Sequence, residues 1–295
     1  MAEPTLNYVD CPDTGTGHRM AYWQWGDAKA EHTVVCVHGL TRQGRDFDTL
    51  ARSLVARSPH PLQVVCPDVA GRGESDRLTD PQAYAVPTYV SDLLALLAQL
   101  RPATLDWVGT SMGGLIGIAV CSLAESIGLS VRRLVLNDVG PVIEWESLQR
   151  IGGYVGKAME FESLEHAAEA LWEISQSFGP HTPAQWLELT RPMLRPAQSG
   201  KVRLHYDPAI AASLSGLTQE ASAQGEAMLW RMYDAIVAPT LLLRGAESDL
   251  LSPETAQQMC ARGPRARLVE FPGVGHAPTL IAPEQLEAVV SFLLG

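Results

Sequence analysis

The sequence predicts an α/β fold in which a mostly parallel sheet carries helices on both faces. Three features predict it: short β-branched runs, amphipathic segments between them, and a glycine-flanked serine that joins a buried strand directly to a buried helix at residues 105–120. The run TVVCV at residues 33–37 is typical of a strand buried on both faces. Because crossovers in such sheets are right-handed, functional residues should lie at the carboxyl ends of the strands.

The remaining elements follow from the same patterns. Residues 5–9 and 18–25 predict an antiparallel hairpin at one sheet edge, joined by a turn at 12–17. Residues 141–230 predict amphipathic helices and no strand, with a capping box that begins at Thr182. The other predicted strands are 62–66, 105–108, 133–136, 240–243 and 267–271, and the other predicted helices are 46–57, 87–100, one that begins at 253 and one that begins near 283.

Composition restricts the class of protein. With 295 residues and 46% hydrophobic side chains, the chain can bury a large core. Its net charge of -11, from 33 acidic and 22 basic residues without a long single-sign run, argues against nucleic acid or an anionic membrane as a partner. The N-terminus lacks a basic region followed by an apolar one, so we expect a cytoplasmic protein.

The five cysteines are odd in number and widely spaced, and most lie in apolar runs. This pattern predicts reduced core residues and suggests neither a disulfide framework nor a metal site. The uncharged stretch at 107–124 approaches the length of a membrane span, but four glycines interrupt it. A buried strand and helix explain that stretch better.

The strand-to-helix junction carries the candidate nucleophile, Ser111. It lies in Gly109-Thr110-Ser111-Met112-Gly113, the G-x-S-x-G pattern of a nucleophile elbow. A side chain held on such a strained turn needs small neighbours, which Gly109 and Gly113 provide. The alternative without a catalytic role is a glycine-rich connection inside the sheet.

A serine hydroxyl needs a base and an acid that orients the base. His276 follows the last predicted strand, and Asp249 follows the strand before it. The order Ser, Asp, His is the one expected for a serine hydrolase of this architecture, so we predict Ser111, Asp249 and His276 as the catalytic residues. Asp138, which also ends a strand, and Glu247 are the alternative acids.

An oxyanion intermediate needs two backbone N–H donors. The residue after the nucleophile, Met112, should supply one, and Leu40 in the loop after residues 33–37 should supply the other, with Thr41 as the alternative. We interpret His38 as a structural residue that holds this loop through side-chain hydrogen bonds.

Together these motifs resemble the α/β-hydrolase superfamily, in its lidded, carboxylesterase-like serine branch. The resemblance is carried by His38-Gly39-Leu40, the GTSMGG segment from 109, RGAESD at 244–249, Gly275-His276, and DVAGRGESD at 68–76. It implies an eight-stranded sheet formed by residues 1–140 and 231–295, with a helical cap at 141–230 inserted after the sixth strand. We interpret the segment at 71–76 as a structural turn with buried charge pairing.

The resemblance implies hydrolysis of carboxylic esters of small to medium uncharged substrates, with no metal or organic cofactor. A serine nucleophile disfavours the epoxide and halide chemistry of relatives that use aspartate. The alternatives are enol-lactone hydrolysis, carbon–carbon bond hydrolysis or cofactor-free perhydrolysis on the same triad, and a non-catalytic receptor that keeps the fold. Four tryptophans in the cap are expected mainly to pack its core, with some lining the acyl pocket: Trp145, Trp172, Trp186 and Trp230.

Overall fold

The computed structural model describes residues 3–12 and 17–295. Within them the strands are β1 (Thr5–Cys11), β2 (His18–Gly26), β3 (His32–Val37), β4 (Gln63–Pro67), β5 (Thr104–Thr110), β6 (Val131–Asn137), β7 (Glu160–Phe161), β8 (Leu194–Pro196), β9 (Val202–Leu204), β10 (Thr240–Gly245) and β11 (Arg267–Phe271). The helices are α1 (Asp48–Arg57), α2 (Val86–Leu100), α3 (Met112–Leu123), α4 (Trp145–Tyr154), α5 (Leu164–Glu173), α6 (Pro183–Thr190), α7 (Gln219–Asp234), α8 (Pro253–Ala261) and α9 (Pro283–Leu294).

Eight strands form the main sheet in the order β1-β2-β4-β3-β5-β6-β10-β11. β1 and β2 pair antiparallel, as do β2 and β4, and the other neighbours are parallel. The predicted α/β fold and its edge hairpin are therefore confirmed. Most of the predicted turn at 12–17 lies outside the described residues.

Two apolar layers cover the sheet, one on each face. The larger layer packs α2, α3, α7 and α8 against the sheet around the fully buried Trp107. The smaller layer packs α1 and α9 against the other face. This arrangement leaves the carboxyl ends of β5, β6, β10 and β11 side by side, so the loops that follow these strands share one edge. None of the described helices combines the length and apolarity needed to cross a membrane.

The segment between β6 and β10 contains α4 to α7 and also three short strands. These strands pair as an antiparallel sheet in the order β7-β9-β8, so the prediction of no strand at 141–230 is wrong. The strands were missed because they are only two or three residues long, which is too short to show an alternating pattern. The predicted capping box at Thr182 is present at the start of α6.

Helix α7 runs through the predicted domain boundary at residue 230. Trp230 belongs to the larger core layer, where its ring lies 5.8 Å from that of Tyr233. Trp172 and Trp186 instead form a separate cluster within the insertion, with ring centroids 5.1 Å apart. These three tryptophans pack in apolar clusters, as the sequence predicted.

Candidate active site

Ser111 occupies the sharp turn between β5 and α3. Its backbone has φ 52° and ψ -118°, a left-handed conformation that is strained for a residue with a side chain. A Cβ atom on Gly109 would collide with the carbonyl oxygen of Gly113, and one on Gly113 would collide with the carbonyl oxygen of Val37. The chain can therefore turn this tightly only with glycine at both positions, which is the geometry of a nucleophile elbow.

His276, in the loop after β11, lies directly against Ser111. Its Nε2 atom is 3.0 Å from the Ser111 hydroxyl, and its Nδ1 atom is 2.7 Å from Oδ2 of Asp138. With Nδ1 protonated, the imidazole donates to Asp138 and accepts the hydrogen bond of Ser111. The side chain of His276 is 14% exposed, so water can reach one edge of the ring.

Asp138 lies immediately after β6, next to the strand that carries Ser111. Its carboxylate is fully buried and accepts two further hydrogen bonds, from the Gly245 backbone N–H at 2.9 Å and from the Ser248 hydroxyl at 2.6 Å. These donors compensate for the burial of a negative charge and fix the plane of the carboxylate. Asp138 is therefore held in one orientation towards His276.

The prediction that Asp249 orients His276 is wrong. The Asp249 side chain is 52% exposed, and Oδ2 lies 2.6 Å from Nη2 of Arg150 in α4. In the loop after β10, Ser248, the residue before Asp249, points inwards and donates to Asp138. Asp249 therefore points outwards to the surface. Glu247 is also exposed. Asp138 was a candidate in the sequence, because it ends a predicted strand. The sequence does not show, however, that β6 lies beside β5 in the sheet.

His38 stands at the start of the loop that faces Ser111. It is fully buried, its Nδ1 lies 2.7 Å from the Gly39 carbonyl oxygen, and its Nε2 accepts a 2.9 Å hydrogen bond from the Val69 backbone N–H. Burial lowers the pKa of His38 to about 3, so the ring is neutral and donates from Nδ1. These contacts fit the structural role that the sequence indicated.

Arg72 supports the same loop from the segment at 71–76. It is fully buried and donates to the carbonyl oxygens of Leu40 and Ala70, at 2.8 and 2.7 Å, and to the Tyr89 hydroxyl at 2.9 Å. The interpretation of this segment as buried charge pairing is wrong for Arg72, because in residues 3–12 and 17–295 no carboxylate forms an ion pair with it. Its guanidinium donates instead to carbonyl and hydroxyl oxygens and, at 3.7 Å, to the sulfur of Met112.

The two predicted oxyanion donors flank Ser111. Gly39 lies so near that a Cβ atom there would be 3.6 Å from the Ser111 Cβ, and Leu40 follows it in the cavity wall. Met112 is the first residue of α3, where backbone N–H groups have no acceptor within the helix. Both candidate donors therefore lie close to Ser111, which also contacts His276.

A cavity of about 250 Å³ opens above Ser111 and His276. The β6–β10 insertion supplies most of its apolar wall, which includes Ile151, Leu171, Phe178, Met193 and Leu204. The expectation that cap tryptophans line the pocket is wrong, because none of the four is among the described residues that line it. Among the described residues that line it, three are Arg or Lys, namely Arg42, Arg150 and Lys157, and none is acidic.

One further cluster of titratable groups lies away from this cavity. Ligand atoms of Cys11, His18 and Asp92 all lie within 4.8 Å of one another in the buried core. Nε2 of His18 is 2.9 Å from Oδ2 of Asp92, and burial together with the nearby Asp92 charge raises the pKa of Cys11 to about 12. The thiol is therefore protonated beside a buried histidine–aspartate pair.

Comparison with known proteins gives concordant matches along nearly the whole chain. Residues 34–291 match the model of the alpha/beta hydrolase family. The sequence is 48% identical over 297 residues to the 3-hydroxybutyrate-oligomer hydrolase of Cupriavidus necator, covering 100% of this chain and 99% of that protein. It is 25% identical over 259 residues to the 2-(acetamidomethylene)succinate hydrolase of Mesorhizobium japonicum, covering 87% and 86%.

Among solved structures, an alpha/beta hydrolase from Novosphingobium aromaticivorans superposes with a TM-score of 0.84 at 37% sequence identity. The match covers 99% of each chain. The likeness therefore includes the insertion as well as the sheet.

Proposed function

The chain belongs to the alpha/beta hydrolase family, and we propose that it is a serine hydrolase that cleaves the ester bonds of short 3-hydroxybutyrate oligomers. The observation that carries the proposal is the continuous hydrogen-bonded relay from Ser111 through His276 to Asp138. The similarity to the Cupriavidus necator hydrolase, which extends over both chains, supports the choice of substrate.

In the first half of the reaction, Ser111 attacks the ester carbonyl while His276 takes the hydroxyl proton at Nε2. The imidazolium that forms is stabilised by Asp138, whose charge is 2.7 Å from Nδ1. His276 then returns the proton to the departing alkoxide, which leaves as the hydroxyl group of one product. An acyl group remains on Ser111.

In the second half, water enters on the exposed edge of His276 and loses a proton to Nε2 as it attacks the acyl-enzyme. The tetrahedral intermediate collapses, His276 returns the proton to Ser111, and the acid product leaves. The backbone N–H groups of Leu40 and Met112 donate to the oxyanion in both halves. Arg72 stabilises the position of the first donor through its hydrogen bond to the Leu40 carbonyl.

The cavity walls suit a short hydroxyacid ester. Apolar side chains of the insertion can bury the methyl and methylene groups of each unit, and the volume of about 250 Å³ lies below the usual range for drug-sized ligands. The basic lining residues modify the sequence-based expectation of an uncharged substrate. A linear 3-hydroxybutyrate oligomer is an anion, because one end is a free carboxylate.

The proposal is tested by incubating the purified protein with the 3-hydroxybutyrate dimer and trimer and measuring release of the monomer by chromatography. We expect hydrolysis of both at rates well above those for a matched amide. A serine-directed phosphonate should add to Ser111, as identified by peptide mass spectrometry. Labelling without turnover of the dimer would contradict the substrate proposal and keep the serine mechanism, and absence of labelling would favour a non-catalytic receptor.

A further inference from the structure

Lys157 is a basic side chain in the wall of the cavity. Of the three cations there, Arg42 makes a bidentate pair with Asp46 at 2.6 and 2.8 Å, and Arg150 pairs with Asp249 at 2.6 Å. No carboxylate in the part of the chain that the structure describes lies within ion-pair distance of Lys157. Among the described residues that line the cavity, Lys157 is therefore the cation without a paired carboxylate, in a protein whose net charge is -11.

The backbone holds Lys157 in a fixed place at the end of α4. Its N–H donates to the Tyr154 carbonyl at 3.3 Å, and Gly156 before it has φ 83°. A Cβ atom on Gly156 would lie 2.6 Å from the Cβ of Ala211, so this turn packs closely against the segment that follows β9. The backbone of Lys157 is therefore fixed, while its long side chain can still move the ammonium group.

Both Lys157 and Arg150 line the cavity and are also exposed, so they lie where it opens to solvent. Arg150 is paired with a carboxylate that is itself half exposed, and such pairs exchange partners at little cost. An anionic group at the cavity mouth would therefore meet Lys157 directly, with Arg150 able to join it.

We propose that Lys157, assisted by Arg150, forms a carboxylate-binding subsite that selects substrates with a free acid on the leaving-group side of the scissile ester. The inference rests on the proposed function. In a linear hydroxyacid oligomer the single carboxylate lies at the alkoxy end, so anchoring it directs cleavage to the ester bond nearest that end. The enzyme should then release monomers one at a time from the carboxylate end.

The first test compares the 3-hydroxybutyrate dimer with its methyl ester. We expect Lys157→Met to raise the KM for the acid by about fivefold, the size of a partly solvated ion pair, with kcat and the methyl ester kinetics unchanged. Lys157→Glu should make the methyl ester the better substrate. Lys29→Met is the matched control, because Lys29 precedes the amino end of β3, whereas the site lies at the carboxyl ends of the strands.

A second substrate pair separates this inference from the proposed substrate. 4-Butanoyloxybenzoate and its methyl ester carry or lack a carboxylate on the leaving group and contain no hydroxybutyrate unit. If the unsubstituted enzyme prefers the acid over its methyl ester and Lys157→Met does not, the subsite is supported even if the dimer is not cleaved. Cleavage of the dimer with equal losses for acid and methyl ester in Lys157→Met would overturn the subsite and keep the proposed function.

The direction of cleavage gives an independent readout. A trimer labelled with ¹³C only in the unit at its hydroxyl end should first yield unlabelled monomer and labelled dimer. Equal early release of labelled and unlabelled monomer by the unsubstituted enzyme would overturn the inference.

Discussion

Oδ2 of Asp138 lies 2.7 Å from Nδ1 of His276, although the two residues are 138 positions apart in the chain. The contact exists because β6 lies beside β5 in the sheet, so the loop after β6 opens next to Ser111. The carboxylate that contacts His276 therefore follows β6, the strand beside β5, rather than β10, which the prediction of Asp249 required.

Asp138→Asn should lower kcat by about 10⁴, because an amide favours the wrong histidine tautomer. Asp249→Asn should change kcat by less than about threefold, since it removes only an exposed ion pair with Arg150. Steady-state kinetics of the two variants on one ester decide between the acids. A larger loss in Asp249→Asn would contradict the assignment of Asp138.

Ser248 acts through Asp138 and should be a positioning residue. Ser248→Ala removes the 2.6 Å hydrogen bond to Oδ2, so we expect kcat to fall by about tenfold and KM to stay constant. Ser147→Ala is a matched control, because that hydroxyl donates to the Asp249 carbonyl at 2.6 Å and does not contact the relay. Equal kcat values for the two variants would show that the Ser248 hydrogen bond does not affect catalysis.

How much of this site could be predicted differs from residue to residue. Ser111 and His276 could be predicted from the sequence because each depends on a local pattern. Ser111 is flanked by glycines at the elbow, and His276 lies in a glycine-rich loop after a strand. The acid depends on strand order and on which way a loop turns its side chains, and neither is encoded locally. Ser248 and Asp249 are adjacent in sequence, yet one faces Asp138 and the other faces solvent.

The insertion shows a similar limit. Its amphipathic helices follow from local periodicity and the capping box at Thr182 from a local motif, and both are present. Strands β7, β8 and β9 are held by pairing with one another rather than by their own sequence, so no local pattern reveals them. Core packing of Trp230 was predicted, but the domain boundary at residue 230 was not accurate, because α7 continues past it and packs against α3, a contact between distant segments.

Burial of His38 should make the protein less stable in acid. The folded-state pKa is about 3 and the ordinary value is 6.5, so between these pH values the unfolded chain binds a proton that the native state does not. The free energy of unfolding should therefore fall by up to about 1.4 kcal/mol for each pH unit of acidification in that window.

Asp68 opposes this effect, because burial raises its pKa from 3.8 to about 6 and the native state binds its proton first. The comparison of the wild type with His38→Asn isolates His38, since Asp68 contributes equally to both. Urea unfolding at steps from pH 7.5 to pH 5 should show that the variant loses less stability on acidification than the wild type, so that the difference in free energy of unfolding, wild type minus variant, decreases as the pH falls. Parallel curves would contradict the assignment of a neutral, buried His38.

The size of the cavity should limit acyl length. With p-nitrophenyl esters, kcat/KM should rise from acetyl, peak at about four to eight acyl carbons and then fall, because each buried methylene contributes about 0.8 kcal/mol until the cavity is full. Kinetics across chains of about two to sixteen carbons provide the measurement. A continued rise beyond about twelve carbons would show that the insertion opens as a lid over a larger site.

The measurement that tests the serine mechanism most directly is turnover of the 3-hydroxybutyrate dimer by Ser111→Ala, beside the melting temperatures of the variant and the parent. We predict that the parent cleaves the dimer, that the variant loses at least about 10⁴-fold in kcat, and that the two melting temperatures agree. A variant that retains activity within about tenfold of the parent would contradict Ser111 as the nucleophile.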